Sequence, residues 1–93
     1  MFTPLDNATS TQSIGSTGVQ LQKPVGADAV LVQNIGSSVL LIGYQGMPED
    51  TSGFPIPANT AAELRILTQS VYLKRKVGST AENAIISFGV HYE

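Results

Sequence analysis

Residues 30–66 read VLVQNIGSSVLLIGYQGMPEDTSGFPIPANTAAELRI, and this stretch decides the fold. Two short apolar runs flank Ile35-Gly36-Ser37-Ser38, a Gly/Pro-rich excursion follows, and a third run opens after Pro57-Ala58-Asn59-Thr60. Short β-branched and aliphatic runs bounded by turn formers are the signature of strands, not helices. The spacing predicts strands over 29–34 and 39–44, joined as a hairpin by the connection at 35–38. In both, apolar residues fall on alternate positions of each face: Val30 and Val32 against Leu31, then Val39 and Leu41 against Leu40 and Ile42. That pattern predicts strands covered on two sides, one by the domain core and the other by a second sheet or a subunit interface.

Further along, residues 45–57 carry Pro48, Pro55 and Pro57, which remove backbone donors and disfavour helix and central strand alike. A surface connection is expected there. Pro57 suits the first central position of a turn and Asn59 tolerates a positive φ, so 57–60 is read as a tight turn into the next strand. Residues 61–67 alternate, Glu63 and Arg65 on one face and Ala62, Leu64 and Ile66 on the other, the pattern of a half-buried strand. Residues 71–77 place Val71, Leu73, Arg75 and Val77 opposite Tyr72, Lys74 and Lys76. In 84–92, Ile86, Phe88, Val90 and Tyr92 form an apolar stripe opposite Ile85, Ser87, Gly89 and His91.

Working back toward the start, 19–23 reads as a first strand. Residues 1–18 are rich in Thr, Ser, Asn and Gln and show neither helical nor strand periodicity. They are expected to form an extended N-terminal arm, with Phe2, Leu5 and Ile14 as its spaced apolar anchors. The reading is therefore all-β: an arm (1–18) followed by one domain (19–93), a small antiparallel β-sandwich or jelly-roll-like barrel of about six strands.

Composition bounds the function. A chain of 93 residues has room for one domain with a thin stability margin, to which oligomerisation would add. Hydrophobic residues make up 42% and charged residues 13%, about half the charged share usual for a soluble protein, so part of the uncharged surface is expected to be buried against other chains. The formal net charge of -2 gives no electrostatic reason to bind nucleic acid or an anionic membrane. Cysteine is absent, which excludes disulfides, zinc-thiolate sites and a thiol nucleophile. Residues 1–7 lack a basic segment followed by an apolar run, and no long apolar run occurs elsewhere, so neither a signal peptide nor a membrane-spanning helix is expected. Without a secretory signal, Asn7-Ala8-Thr9 is ordinary loop sequence rather than a glycosylation site.

No group of reactive side chains converges. His91 is the only histidine and reads as a solvated edge residue; Ser87, four positions earlier on the same strand face, would lie roughly 13 Å away, too far to be its nucleophile. Glu49 and Asp50 are adjacent loop acids without the alternating ligands of a calcium loop. The glycines in Gly43-Tyr44-Gln45-Gly46 and Gly36-Ser37-Ser38 end strands and open no helix, so they are turn glycines and not a phosphate cradle. In Lys74-Arg75-Lys76 the arginine faces away from the lysines, which suits protection of an edge strand better than nucleic-acid binding. No catalytic residue, cofactor or metal site is expected.

The run Val30-Leu31-Val32-Gln33-Asn34 with Gly36, then Val39-Leu40-Leu41-Ile42-Gly43, a loop to Gly53-Phe54-Pro55-Ile56, a turn at Ala58-Asn59-Thr60, Leu64, and Val71-Tyr72-Leu73 resembles small tailed-phage virion proteins. Their sequences run from a strand ending in Asn, through a short turn, to a strand ending in Ile-Gly. The sequence departs from that pattern in carrying Ala58-Asn59 where a glycine is common, and the arm has no counterpart in it. The resemblance implies a non-enzymatic decoration or cement protein of the capsid surface, made in the host cytoplasm. Its implied partner is the major capsid protein, bound by a homotrimer without nucleic acid, membrane or small-molecule substrate. Phe2, Leu5 and Ile14 on the arm and Met47 and Phe54 in the long connection are the expected partner-binding residues. A tail, head-fibre or adaptor protein is the first alternative, with 47–57 as its contact loop. A small carbohydrate-binding module is the second, although Tyr44, Phe54, Tyr72 and Tyr92 are scattered along the sequence and form no obvious platform.

Overall fold

The computed structural model describes residues 1–15, 17–44, 46, 48, 53–66, 68–75 and 82–91. Eight strands run β1 (Phe2–Ile14), β2 (Val19–Gln22), β3 (Ala29–Asn34), β4 (Leu40–Gly43), β5 (Phe54–Ile56), β6 (Ala61–Arg65), β7 (Ser70–Arg75) and β8 (Glu82–His91). They form two antiparallel four-stranded sheets, ordered β1-β8-β3-β6 and β2-β7-β4-β5. The chain changes sheet at every connection except β4 to β5. This is the strand order of an eight-stranded jelly roll.

Between the sheets lie Ile14, Val30, Val32, Leu40, Ile42, Ile56, Ile66, Val71, Leu73, Ala84, Ile86 and Phe88, all buried. The strand readings over 29–34, 61–67 and 84–92 place these side chains on the correct faces, because period-two alternation in half-buried strands leaves only one register that hides the apolar set. The Asn59 turn is also as read: its φ is 59°, and the Thr60 hydroxyl donates to the Pro57 carbonyl at 2.7 Å.

Four expectations are corrected. There are eight strands rather than six, and the two additional ones are the polar β1 and the proline-bearing β5. Residues 2–14 do not leave the domain as an arm; they pair along β8 and carry Ile14 into the core. Strands β3 and β4 are not a hairpin. They belong to opposite sheets, and the connection between them crosses the sandwich. Asn34 explains the crossing. Buried to 1% exposure, its amide donates to the Ser38 and Ile56 carbonyls at 2.8 and 2.9 Å, while its side-chain oxygen accepts from the Gly36 N–H at 3.0 Å. A side chain bonded at both ends stabilises a bend toward β5 in a way that a two-stranded hairpin would not need. Lastly, β7 lies between β2 and β4, so Lys74 guards no edge.

The second cover over β4 comes from the chain itself. Leu41 points away from the core, yet it is buried beside Pro48 and Gly53. A Cβ on Gly53 would stand 2.6 Å from Pro48 Cβ and 2.9 Å from Leu41 Cβ. Pro48 and Gly53 thus cover Leu41 on the outer face of its sheet.

Candidate functional site

The expected contact residues separate into different environments. Ile14 is fully buried between the sheets, and Leu5 packs against the core from the edge strand. Phe2 lies over Gly89 of β8, its ring carbons 2.8 and 2.9 Å from the position a Cβ would occupy there. All three make contacts within their own fold. Phe54 differs: it stands on β5, an edge strand of its sheet, and is 51% exposed. Met47 lies outside the described residues, as do Glu49, Asp50, Lys76 and Tyr92.

Among the described residues, titratable side chains meet polar partners at two places on β8. At its C-terminal end the His91 ring contacts the Glu63 carboxylate of β6, and the His91 backbone N–H donates to Asp28 Oδ1 at 3.0 Å. The histidine is therefore partly exposed on an interior strand with an acidic neighbour, which corrects the expectation of an edge position. At the N-terminal end Glu82 clasps the β3–β4 crossing. The Ser37 backbone N–H and hydroxyl donate to its two oxygens at 3.0 Å each, and the Ser38 hydroxyl donates at 3.4 Å. The Ser37 N–H first, then the hydroxyls and the Arg75 charge, hold the Glu82 carboxyl below its ordinary pKa. Arg75 itself is buried, facing away from Lys74 as the alternation predicts. Burial raises the Tyr44 phenol above its ordinary pKa. Among the described residues no group of three or more His, Asp or Glu side chains is placed to hold a metal ion, and no helix is long and apolar enough to cross a membrane.

One cleft was not legible in the sequence. Pairing between β1 and β8 runs regularly to Pro4–Gly89, then resumes only at Thr9–Ser87. Five steps along β1 thus answer two along β8, and the excess chain stands out over Phe88 as a wide bulge. Asn7 sits at its turn with a φ of 61°, a left-handed backbone that asparagine adopts more readily than most residues. Between this bulge and the corner joining β2 to β3 lies a cavity of about 360 Å3, lined by residues 5–10 with Gln22, Pro24 and Val25 and closed beneath by Phe88. The corner is a tight turn: the Ala27 N–H donates to the Pro24 carbonyl at 3.2 Å, and Gly26 takes the positive φ of 92° that the second central position of a type II turn requires. The Asp6-Asn7 pair inside a Thr/Ser-rich extended stretch was the available signal, since both residues favour turns.

A smaller recess of about 350 Å3 opens beside Gln33, Asn34, Ile35 and Asn59. The Asn34 amide there is already fully used by the crossing, so this recess offers less free hydrogen-bonding capacity than the cleft at the bulge.

No family model matches the sequence, and no curated protein matches it. Among solved structures the chain is similar to the crystal structure of PirA, with a TM-score of 0.58 at 14% identity, covering 90% of this chain and 95% of that one. At that identity the likeness is one of fold and carries no function.

Proposed function

We propose that the protein is a non-enzymatic virion structural protein, a capsid decoration or cement protein that binds the outer surface of the shell as a homo-oligomer. The observation that carries this reading is Phe54. This large aromatic side chain is 51% exposed on β5, an edge strand of the sandwich, while the apolar residues between the sheets are buried. Aromatic residues held out on a rigid scaffold supply much of the binding energy in protein interfaces. Beside it, Pro55 lacks a backbone donor, which discourages strand-to-strand pairing along that edge and favours contact through side chains.

Two further features support the reading. The low charged fraction of 13% suits a surface partly covered by other chains. The jelly-roll order is an architecture that viral capsid proteins share with lectins, which is an argument by analogy of fold. In this reading the partner is the major capsid protein and the assembly is a homotrimer.

The test is the copy number of this chain in purified particles that carry it, measured by quantitative mass spectrometry against the major capsid protein. A stoichiometry comparable with the capsid protein is expected. A few copies per particle would move the protein to a tail, head-fibre or adaptor position, and absence from particles would overturn the reading.

A further inference from the structure

The cleft at the β1 bulge has a chemistry of its own. Its floor is Phe88, 8% exposed, with Leu5 and Ala8 partly buried at its side. Its rim is polar: Asp6, Asn7 and Gln22 all reach solvent, and no hydrogen bond among the described residues engages their side chains. A carboxylate and two carboxamides therefore surround an apolar base, while the Thr9 hydroxyl donates to Ser87 and the Ser10 hydroxyl accepts from Gln12.

That combination narrows the ligand. No cationic side chain lines the cleft while one carboxylate does, which disfavours phosphate, sulfate or a carboxylic acid. A wholly apolar ligand would leave the rim groups without partners as it displaced their water. Carboxamides both donate and accept, a carboxylate accepts, and an alcohol can pair with either. A ring that carries several hydroxyls on its edge and bare C–H groups on its face matches both the rim and the floor. The volume of about 360 Å3 falls at the lower end of small-ligand sites, a size that admits one or two sugar rings.

The bulge itself is consistent with a site. Regular pairing of β1 would close this space, and instead the strand carries excess residues and a left-handed Asn7 to hold it open. Bulges of this kind recur beside binding sites because they re-aim side chains without breaking the sheet.

We propose that the cleft between the β1 bulge and the β2–β3 corner binds a neutral saccharide ring, held at its hydroxyls by Asp6, Asn7 and Gln22 over the apolar floor of Phe88. The site is separate from the Phe54 edge and does not depend on the virion reading. It is tested on the purified full chain by titrating methyl glucoside, methyl galactoside and N-acetylglucosamine while recording amide chemical shifts. The expected result is saturable shifts, with a Kd of about 1–10 mM for at least one sugar, centred on residues 5–10, Gln22, Val25 and Phe88. Asp6→Ala and Gln22→Ala should each weaken binding about five- to tenfold while leaving the urea midpoint unchanged, since both side chains are exposed. Gln33→Ala, in the other recess, should leave binding as it is. No saturable shift with any of the three sugars would overturn the proposal. So would shifts centred on 33–35 and 59–61, affinity unchanged by Asp6→Ala and Gln22→Ala, or saturation of the cleft by butylammonium alone.

Discussion

Strand β8 has two neighbours that could hardly differ more. On one side β3 meets it over six consecutive pairs, from Ala29–Gly89 to Asn34–Ala84, without a slip. On the other side β1 meets it along a polar Thr/Ser sequence whose register breaks between Pro4 and Thr9. The β3 side supplies Val30 and Val32 to the core, and its register is fixed because a one-residue shift would turn both outward. The β1 side contributes Ile14 at one end and is otherwise governed by turn chemistry and side-chain hydrogen bonds. A regular, apolar pairing holds the fold, and an irregular, polar one leaves room for recognition at the edge.

The largest single effect is expected at the end of β3. Asn34→Ala removes three hydrogen bonds at a buried site and strands the Ser38 and Ile56 carbonyls, which should cost roughly 3 kcal/mol in urea unfolding. Next comes Gly89→Val, where the new side chain would strike the Thr3 carbonyl and the Phe2 ring. A loss of about 2 kcal/mol is expected, with amide shifts concentrated in residues 2–4 and not in β3. Thr9→Val, which removes the 2.9 Å bond to the Ser87 hydroxyl just past the bulge, should cost only about 1 kcal/mol.

The smallest effect depends on pH. Glu82 has a lowered carboxyl pKa in the folded state, so its contribution is present above the ordinary carboxyl value and is lost as pH falls through the folded one. The urea midpoint of the wild type should therefore fall more steeply on acidification than that of Glu82→Gln. Parallel curves would show that the clasp on Ser37 contributes nothing.

The contrast between the two sides of β8 also sets what could be read from sequence. Residues 29–34 announce β3 because every second side chain is apolar and β-branched or aliphatic. In β1 the apolar residues Phe2, Leu5 and Ala8 recur every third position, a period that belongs to no regular strand, and the bulge is what reconciles it with pairing. The hairpin between β3 and β4 misled for a different reason. Its connection has hairpin length, and only the buried Asn34, reaching a carbonyl 22 residues away, shows that the chain crosses to the other sheet. Likewise, two-sided burial of β4 was legible from Leu41, but not that Pro48 and Gly53 of the same chain supply the cover. The cleft was hidden because it arises where two segments, 5–10 and 22–25, meet, and no pattern within either announces the other.

Strand β1 is part of the sandwich: it forms the edge of one sheet, places Ile14 in the core and builds the cleft. Deleting residues 1–14 and following urea unfolding by circular dichroism tests this most directly. The loss of a whole edge strand and a fully buried isoleucine should exceed the roughly 5–10 kcal/mol available to a domain of this size, leaving no cooperative transition. A truncated chain that unfolds cooperatively at the midpoint of the full one would contradict the account and make residues 1–14 an arm after all.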